Sequence, residues 1–364
     1  MENCIIPRDV VIEILAQLPV KSLMRFKCIC KFFYSLIKSD NHFKHKHFEI
    51  SRAKRDYLVF QHEMPVWGED RGFGLVYKES DCDEIGCADL IFPAARISEV
   101  RYADGMFCLF TYGINSHDNY VWNISIWNPS TRETKKLQNI EALDGFKPEC
   151  PSIFGFGLSS NMMGKVVMIW ITPDPIVMVY SQDGNNSCGW KRFSHNLGDP
   201  NVDNHPSNLY LKGKYYWLCT IDQNHLLWFD FDDETFGKIE LPERDSQCIV
   251  LSTMKDTIAL ISGCIDSNQL EIWTMNEHNN VIRWNKYASV EWNEYTPHPL
   301  RIWNLGAHLL VYGQMLQLPG TDDVRMKHFN SYDLITQEKK TIYNVSWNIC
   351  MHPPLVYSES LKSF

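Results

Sequence analysis

Three short stretches of this chain echo one another. Trp127-Asn128-Pro129-Ser130-Thr131, Phe231-Asp232-Asp233-Glu234-Thr235 and Tyr332-Asp333-Leu334-Ile335-Thr336 each run aromatic, Asn or Asp, two residues, Thr, with aromatics 104 and 101 residues apart. Fainter versions fill the gaps: Tyr77 before "KESD", Tyr180 before "SQDG" and Trp273 before "TMNEHNN". The series 77, 127, 180, 231, 273, 332 has a mean step of 51 residues. Each unit has one local logic. A short apolar strand ends at the aromatic, and Asn or Asp folds its side chain onto its own backbone to start a turn. A second strand follows, as in "KKLQNI", "WKRFSH", "GKIELP" and "KKTIY". A turn and an apolar strand come before it, as in "ADGMFCLF", "GKVVMIW", "LKGKYYWL", "KDTIALI" and "LGAHLLVY".

Several short antiparallel strands recurring about every 50 residues are the content of one blade of a kelch-like β-propeller. Six such units fit between Tyr57 and the C-terminus, and "PPLVYSES" supplies a strand to close the ring. The fold class expected is therefore α+β, mainly β, with a helical head before a propeller of about six blades. A non-repeating β-sandwich or barrel is the alternative.

The head breaks the pattern. Pro7 stands where a first helical turn tolerates proline, and Asp9 places negative charge near that positive helix end. Val10, Val11, Ile14, Leu15 and Leu18 recur at helical spacing until Pro19. Val20, Leu23, Phe26 and Ile29 mark a second helix, and Phe32, Phe33, Leu36 and Ile37 a third. Three helices in about 40 residues are too small a domain to bury stripes this wide, so some of that surface must meet another protein or the rest of the chain. Charge divides at the same place. Residues 1–54 hold ten Lys/Arg against five Asp/Glu, a net of +5; the remainder holds 25 against 39, a net of −14. A basic head on an acidic body argues for two modules with different partners, and the acidic body is a poor candidate for duplex binding, which needs a basic surface. No run of 18 apolar residues spans a membrane, and "MENCIIPRD" lacks a secretory signal. Twelve scattered Cys fit a reduced cytoplasmic, or also nuclear, protein.

"IPRDVVIEILAQLPVKSLMRFKCICKFFYSLIKS" (residues 6–39) resembles an F-box, the helical motif that docks onto a Skp-type adaptor and, through it, a cullin in SCF ubiquitin ligases. Phe33 stands where plant members usually carry tryptophan. The stretches "IWNPSTRETKKL", "FGFGLSSNMMGKVVMIW", "LKGKYYWL" and "LWFDFDDETFGKIELP" are similar to the F-box-associated domain of plants, although "SSNMMG" departs from its usual acidic and aromatic residues. "LEIWTM", "WNKYASV", "HLLVYGQ" and "LVYSESL" most resemble the S-locus F-box proteins of pollen and their S-locus-like relatives. The resemblance implies an F-box at 1–50 and a substrate-recognition domain at 55–364. It implies adaptor contacts on the apolar positions Pro7, Val10, Ile14, Leu15, Leu18, Pro19, Leu23, Phe26, Ile29 and Phe33. It also implies a non-catalytic subunit with a protein substrate, a pistil S-ribonuclease recognised in self-incompatibility. A substrate unrelated to reproduction, or an enzymatic or glycan-binding propeller, are the rival readings.

No other motif carries chemistry, so no catalytic residue, cofactor or metal is assigned. Gly155-Phe156-Gly157 lacks a third glycine and a following helix, and reads as turn glycines beside a strand. His42, His45 and His47 read as the solvated end of a helix, and Cys28/Cys30 and Cys82/Cys87 are wrongly spaced for a zinc knuckle. Trp67, Trp170, Trp217, Trp273 and Trp303 read as propeller core. Asp81, Asp83 and Glu84 in "ESDCDE" are the candidate contacts to a basic substrate, on charge alone.

Overall fold

The computed structural model describes residues 6–54, 57–63, 71–78, 85–89, 97–115, 117, 119–141, 152–161, 163–172, 174–182, 188–193, 207–219, 224–243, 248–264, 269–278, 281–291, 298–303, 307–314, 327–345 and 354–363. Its strands form six antiparallel sheets, one per blade. The first strand of each blade packs around the ring's axis: Glu99–Ala103, Ser152–Leu158, Asn208–Leu211, Cys248–Met254, His298–Trp303 and, for the remaining blade, Leu355–Tyr357 from the far end of the chain. That last strand pairs with Tyr57–Glu63 in the register Tyr57↔Tyr357 to Val59↔Leu355, so the two ends of the β region close the ring. The aromatics that define the repeat fall on, or directly after, the third strand of each of the six blades. Tyr77, Trp127, Tyr180, Trp273 and Tyr332 lie within it, and Phe231 follows His225–Asp230 directly.

The turns after those strands share one geometry. Asn128 Oδ1 accepts from the amides of Ser130 and Thr131, Asp230 Oδ1 from Asp232 and Asp233, and Asp333 Oδ1 from Ile335 and Thr336. Four residues beyond each, Arg132, Glu234 and Gln337 adopt positive φ (61°, 54° and 61°) to re-enter the sheet. The middle turn is thus headed by Asp230, two residues before the Asp232 that the sequence pattern selects. Both acids follow a phenylalanine, and only the strand register tells them apart. The first hairpins close more tightly: Asp104-Gly105 and Lys212-Gly213 take positive φ at both positions, as a two-residue turn matched to strand twist requires.

The hydrophobic core lies between blades. Phe110, Trp122, Phe154 and Phe156 fill one seam, and Tyr215, Trp217, Phe229 and Phe231 the next. Gly155 and Gly157 are not turn glycines. They sit inside the inner strand Ser152–Leu158, where a Cβ on Gly157 would lie 2.1 Å from the Phe231 ring and one on Gly155 2.7 Å from Trp217. Trp170, Trp217 and Trp303 are buried, Trp273 is half-buried, and Trp67 lies outside the described residues.

The head has four helices rather than three: α1 (Arg8–Ala16), α2 (Val20–Phe26), α3 (Lys31–Ser39) and α4 (Asn41–Lys54). The fourth extends past residue 50. Its stripe is masked in the sequence because the buried face carries Lys44 and His47 beside Phe43 and Phe48. His47 turns inward and donates from Nε2 to Leu18 O at 2.9 Å, joining α4 to the end of α1, while His42 and His45 stay exposed. Burial holds His47 below its ordinary value of 6.5, so on acidification the unfolded chain takes up a proton before the folded head does. The head's stability is therefore full above about pH 6.5 and declines below it. Denaturant unfolding followed by protease resistance of the head should shift to lower denaturant from about pH 7.5 to about pH 5.5. His47→Gln, which retains a donor but cannot titrate, should flatten that shift; an unchanged pH dependence would exclude His47 as its source.

Candidate functional site

The four helices bury Leu15, Ala16, Val20, Leu23, Leu36, Ile37 and Phe43 in one small core, and the eighth member of that core is Leu361 from the C-terminus. The ten apolar positions expected to meet an adaptor therefore divide. Leu15 and Leu23 are inside the head's own core, Leu23 fully, so they hold the helices together. Pro7, Val10, Ile14, Pro19 and Ile29 are exposed, with Leu18, Phe26 and Phe33 half-buried. Val10 and Ile14 are 45% and 51% exposed one helical turn apart on α1, and Ile29 is 62% exposed before α3. Sequence reasoning missed Ile6 and Tyr34, which are exposed in the same way. Phe33 stacks on Phe26 at 6.2 Å and tilts against Phe32 at 5.6 Å, so phenylalanine fills the tryptophan position within an aromatic cluster. Arg8 lies over Phe32, and Lys27 over Tyr34. The result is an apolar patch with a basic rim and no covering segment among the described residues, the composition of a protein-docking surface.

The head is seated on the ring by the last residues of the chain. Beyond the closing strand, Ser358, Ser360, Leu361 and Lys362 are buried. Asn128 Nδ2 donates to Ser360 O (2.9 Å) and Lys362 O (2.8 Å) while its Oδ1 heads the turn. Ser130 Oγ accepts from Ser360 N and meets the Tyr357 hydroxyl at 2.5 Å. On the head side, Glu359 accepts from Val20 N at the start of α2, Lys44 donates to Ser363 Oγ at 3.0 Å, and Lys362 lies over the Phe48 ring while pairing with Asp104 at 2.7 Å. Lys38–Glu133 and Arg52–Asp256 tie basic helices to turns of the ring. Part of the head's positive charge is thus spent within the molecule.

The head occupies the face formed by the tight turns. The opposite face is where the chain makes its longer connections, for example between Phe193 and Asn208 and between Gln314 and Lys327. Asp81, Asp83 and Glu84 lie outside the described residues. The strands that flank them end, at Lys78 and Ile85, on the head's side of the ring.

The family model described as the F-box associated beta propeller domain matches residues 80–348, and that of the F-box domain matches residues 4–45. The chain belongs to the F-box-associated β-propeller family. An F-box/kelch-repeat protein of Arabidopsis thaliana is 22% identical over 309 residues, covering 78% of this chain and 79% of that protein. An F-box protein of the same plant is 25% identical over 314 residues, covering 80% and 79%. Among solved structures, a periplasmic gluconolactonase of Pseudomonas aeruginosa aligns at 9% identity and a TM-score of 0.43 over 83% of this chain and 99% of that one, a likeness too distant to bear on function. An F-box joined to its associated propeller implies a substrate-recognition adaptor of an SCF complex, with the F-box for a Skp-type adaptor and the propeller for a protein substrate. Within that propeller match, Asn128 is the clamp that holds the chain's end, and the end in turn meets the head. No helix among the described residues is long and apolar enough to cross a membrane.

Proposed function

We propose that this chain is the non-catalytic, cytoplasmic substrate-recognition subunit of an SCF ubiquitin ligase, that Val10, Ile14 and Ile29 head its contact with the adaptor, and that the face of the ring opposite the head receives a basic protein. The observation that carries the substrate half is how the fold sorts charge. The connections whose flanking strands end on the far face are residues 64–70, 90–98, 115–119, 142–151, 171–175, 194–207, 220–224, 241–247, 265–268, 292–297, 315–326 and 346–354. They contain fifteen Asp/Glu and four Lys/Arg, a net of −11. The rest of residues 55–364 contains 24 against 21. A solubility device need not be one-sided; an electrostatic guide is. The S-locus resemblance names a substrate with that chemistry, a pistil ribonuclease, since a protein that binds an anionic polymer is itself basic. Ubiquitin transfer belongs to the other subunits, and this chain contributes by raising the local concentration of substrate lysines.

Co-purification with a Skp-type adaptor tests the first half. Association rates with a basic pistil ribonuclease across a salt series test the second. The rate should fall steeply as salt rises past the point where the Debye length reaches roughly 8 Å. Neutralising Asp118, Asp174 and Asp266, in connections whose flanking strands end on the far face, should slow association more than Asp81, Asp83 and Glu84 together. A flat salt profile with intact binding would remove the guiding role. Adaptor binding without ribonuclease binding would leave the ligase role and point to a substrate unrelated to reproduction.

A further inference from the structure

A chamber of about 390 Å³ sits at the head end of the ring's axis. Its walls are the inner strands, with Arg101, Asn208, Arg301 and Trp303 among their contributions, and its roof is α4 through His45, Phe48, Glu49 and Arg52. Its carboxylates are all engaged. Glu49 and Asp256 meet Arg52, and Asp104 meets Lys362. Of the two guanidiniums in the walls, Arg101 pairs with Glu99 at 2.8 Å and donates to Phe154 O at 3.0 Å. Arg301 has no such arrangement. It is 6% exposed, its Nε is buried without a hydrogen-bond partner, and no carboxylate among the described residues pairs with it. Burial pulls it down to about 10. Beside it, the indole N–H of Trp303 is also buried and unpartnered.

An unpaired guanidinium at the wall of a cavity is unfavourable by itself, and a fork of parallel N–H donors matches a carboxylate or phosphate. The chamber is larger than an inorganic ion needs and within the range of small-molecule sites, and Leu209, Tyr210, Tyr215 and Ile302 give it an apolar wall. We infer that this chamber is a binding site for a small organic anion whose carboxylate or phosphate is held by Arg301 and Trp303 and whose body lies against those apolar side chains. Because the walls belong to the ring and the roof to α4 of the head, the ligand would bridge the two and stabilise their seating by mass action.

Calorimetric titration of the purified full-length chain tests this with benzoate, phenyl phosphate and inorganic phosphate, using benzamide as the neutral counterpart of benzoate. Saturable binding of benzoate or phenyl phosphate, absent for benzamide, is expected, and which of the two binds separates the carboxylate from the phosphate source. Inorganic phosphate should bind more weakly than the better organic anion, for want of an apolar body. Arg301→Gln should weaken binding at least tenfold without lowering the thermal midpoint of the anion-free protein, because it removes an unpaired buried charge. Arg301→Lys, which keeps the charge but loses the fork, should also weaken binding and serves should the glutamine variant not fold. No saturable binding of any of the three anions to the unaltered chain, equal binding of benzamide, or undiminished binding by either variant would overturn the site.

Discussion

Ending the chain at Tyr357 is expected to leave the ring closed and release the head. The closing strand, Leu355–Tyr357, keeps its pairing with Tyr57–Val59, so the β-sheet signal and a cooperative unfolding transition should remain. What is lost is Leu361 from the head's core, the Lys362–Asp104 pair, and the contacts of Glu359 and Ser363 with α2 and α4. Emptying a buried leucine site costs about 2–5 kcal/mol, more than a core of this size can spare. A subtler variant isolates the clamp. Asn128→Asp keeps the shape and the turn but turns the Nδ2 donor into an oxygen facing two carbonyls, Ser360 O and Lys362 O. Each buried carbonyl left unsatisfied costs about 1–3 kcal/mol. The equivalent Asp230 and Asp333 show that the turn itself accepts aspartate. Asn128→Asp should therefore make residues 6–54 protease-sensitive while the ring melts nearly as before; a head as resistant as in the unaltered protein would show that the tail is not what seats it. By the same contacts, a ring produced without the head is expected to fold, but with Phe48's partner Lys362 and the apolar Leu361 left in water.

The ring was legible in the sequence because its signals are local. An aromatic at the third strand of every blade, an Asn or Asp that caps its own turn in three blades, and a positive-φ hairpin in two need no distant partner to be read. The head's apolar stripes were legible for the same reason. What stayed hidden depends on contacts between residues far apart in the chain. Asn128 meets Lys362, and Leu361 completes a core otherwise built from residues 15–43. The α4 stripe was obscured because His47 and Lys44 are buried, His47 Nε2 bonded to Leu18 O and Lys44 Nζ to Ser363 Oγ, which converts a polar pattern into an inward face. Gly155 and Gly157 read as turn residues because glycine is permissive. Their use is spatial, and only the neighbouring blade's Trp217 and Phe231 reveal it. Arg301 looks like any strand arginine until five blades and a helix are drawn around it.

The same burial pattern separates residues that would touch an adaptor from residues that hold the F-box together. Ile14→Asp, alone or with Val10→Asp, is expected to abolish adaptor binding while the head keeps its fold. Both side chains are about half exposed in this chain, so a carboxylate there stays hydrated until the partner arrives. Docking would then strip its water without offering a partner. Losing one apolar anchor at the centre of such a patch costs about 2 kcal/mol or more, and a desolvated charge adds to that, so a loss of affinity of roughly a hundredfold or greater follows. Leu23→Asp should also lose the adaptor, for a different reason. Leu23 is fully buried against Val20, Leu36 and Leu361, and a charge there unfolds the helices before any partner is met. Protease resistance of residues 6–54 tells the two apart: retained in Ile14→Asp, lost in Leu23→Asp. A folded double variant at Val10 and Ile14 that still forms a stable adaptor complex would move the contact surface off α1, toward Ile29, Phe33 and Tyr34.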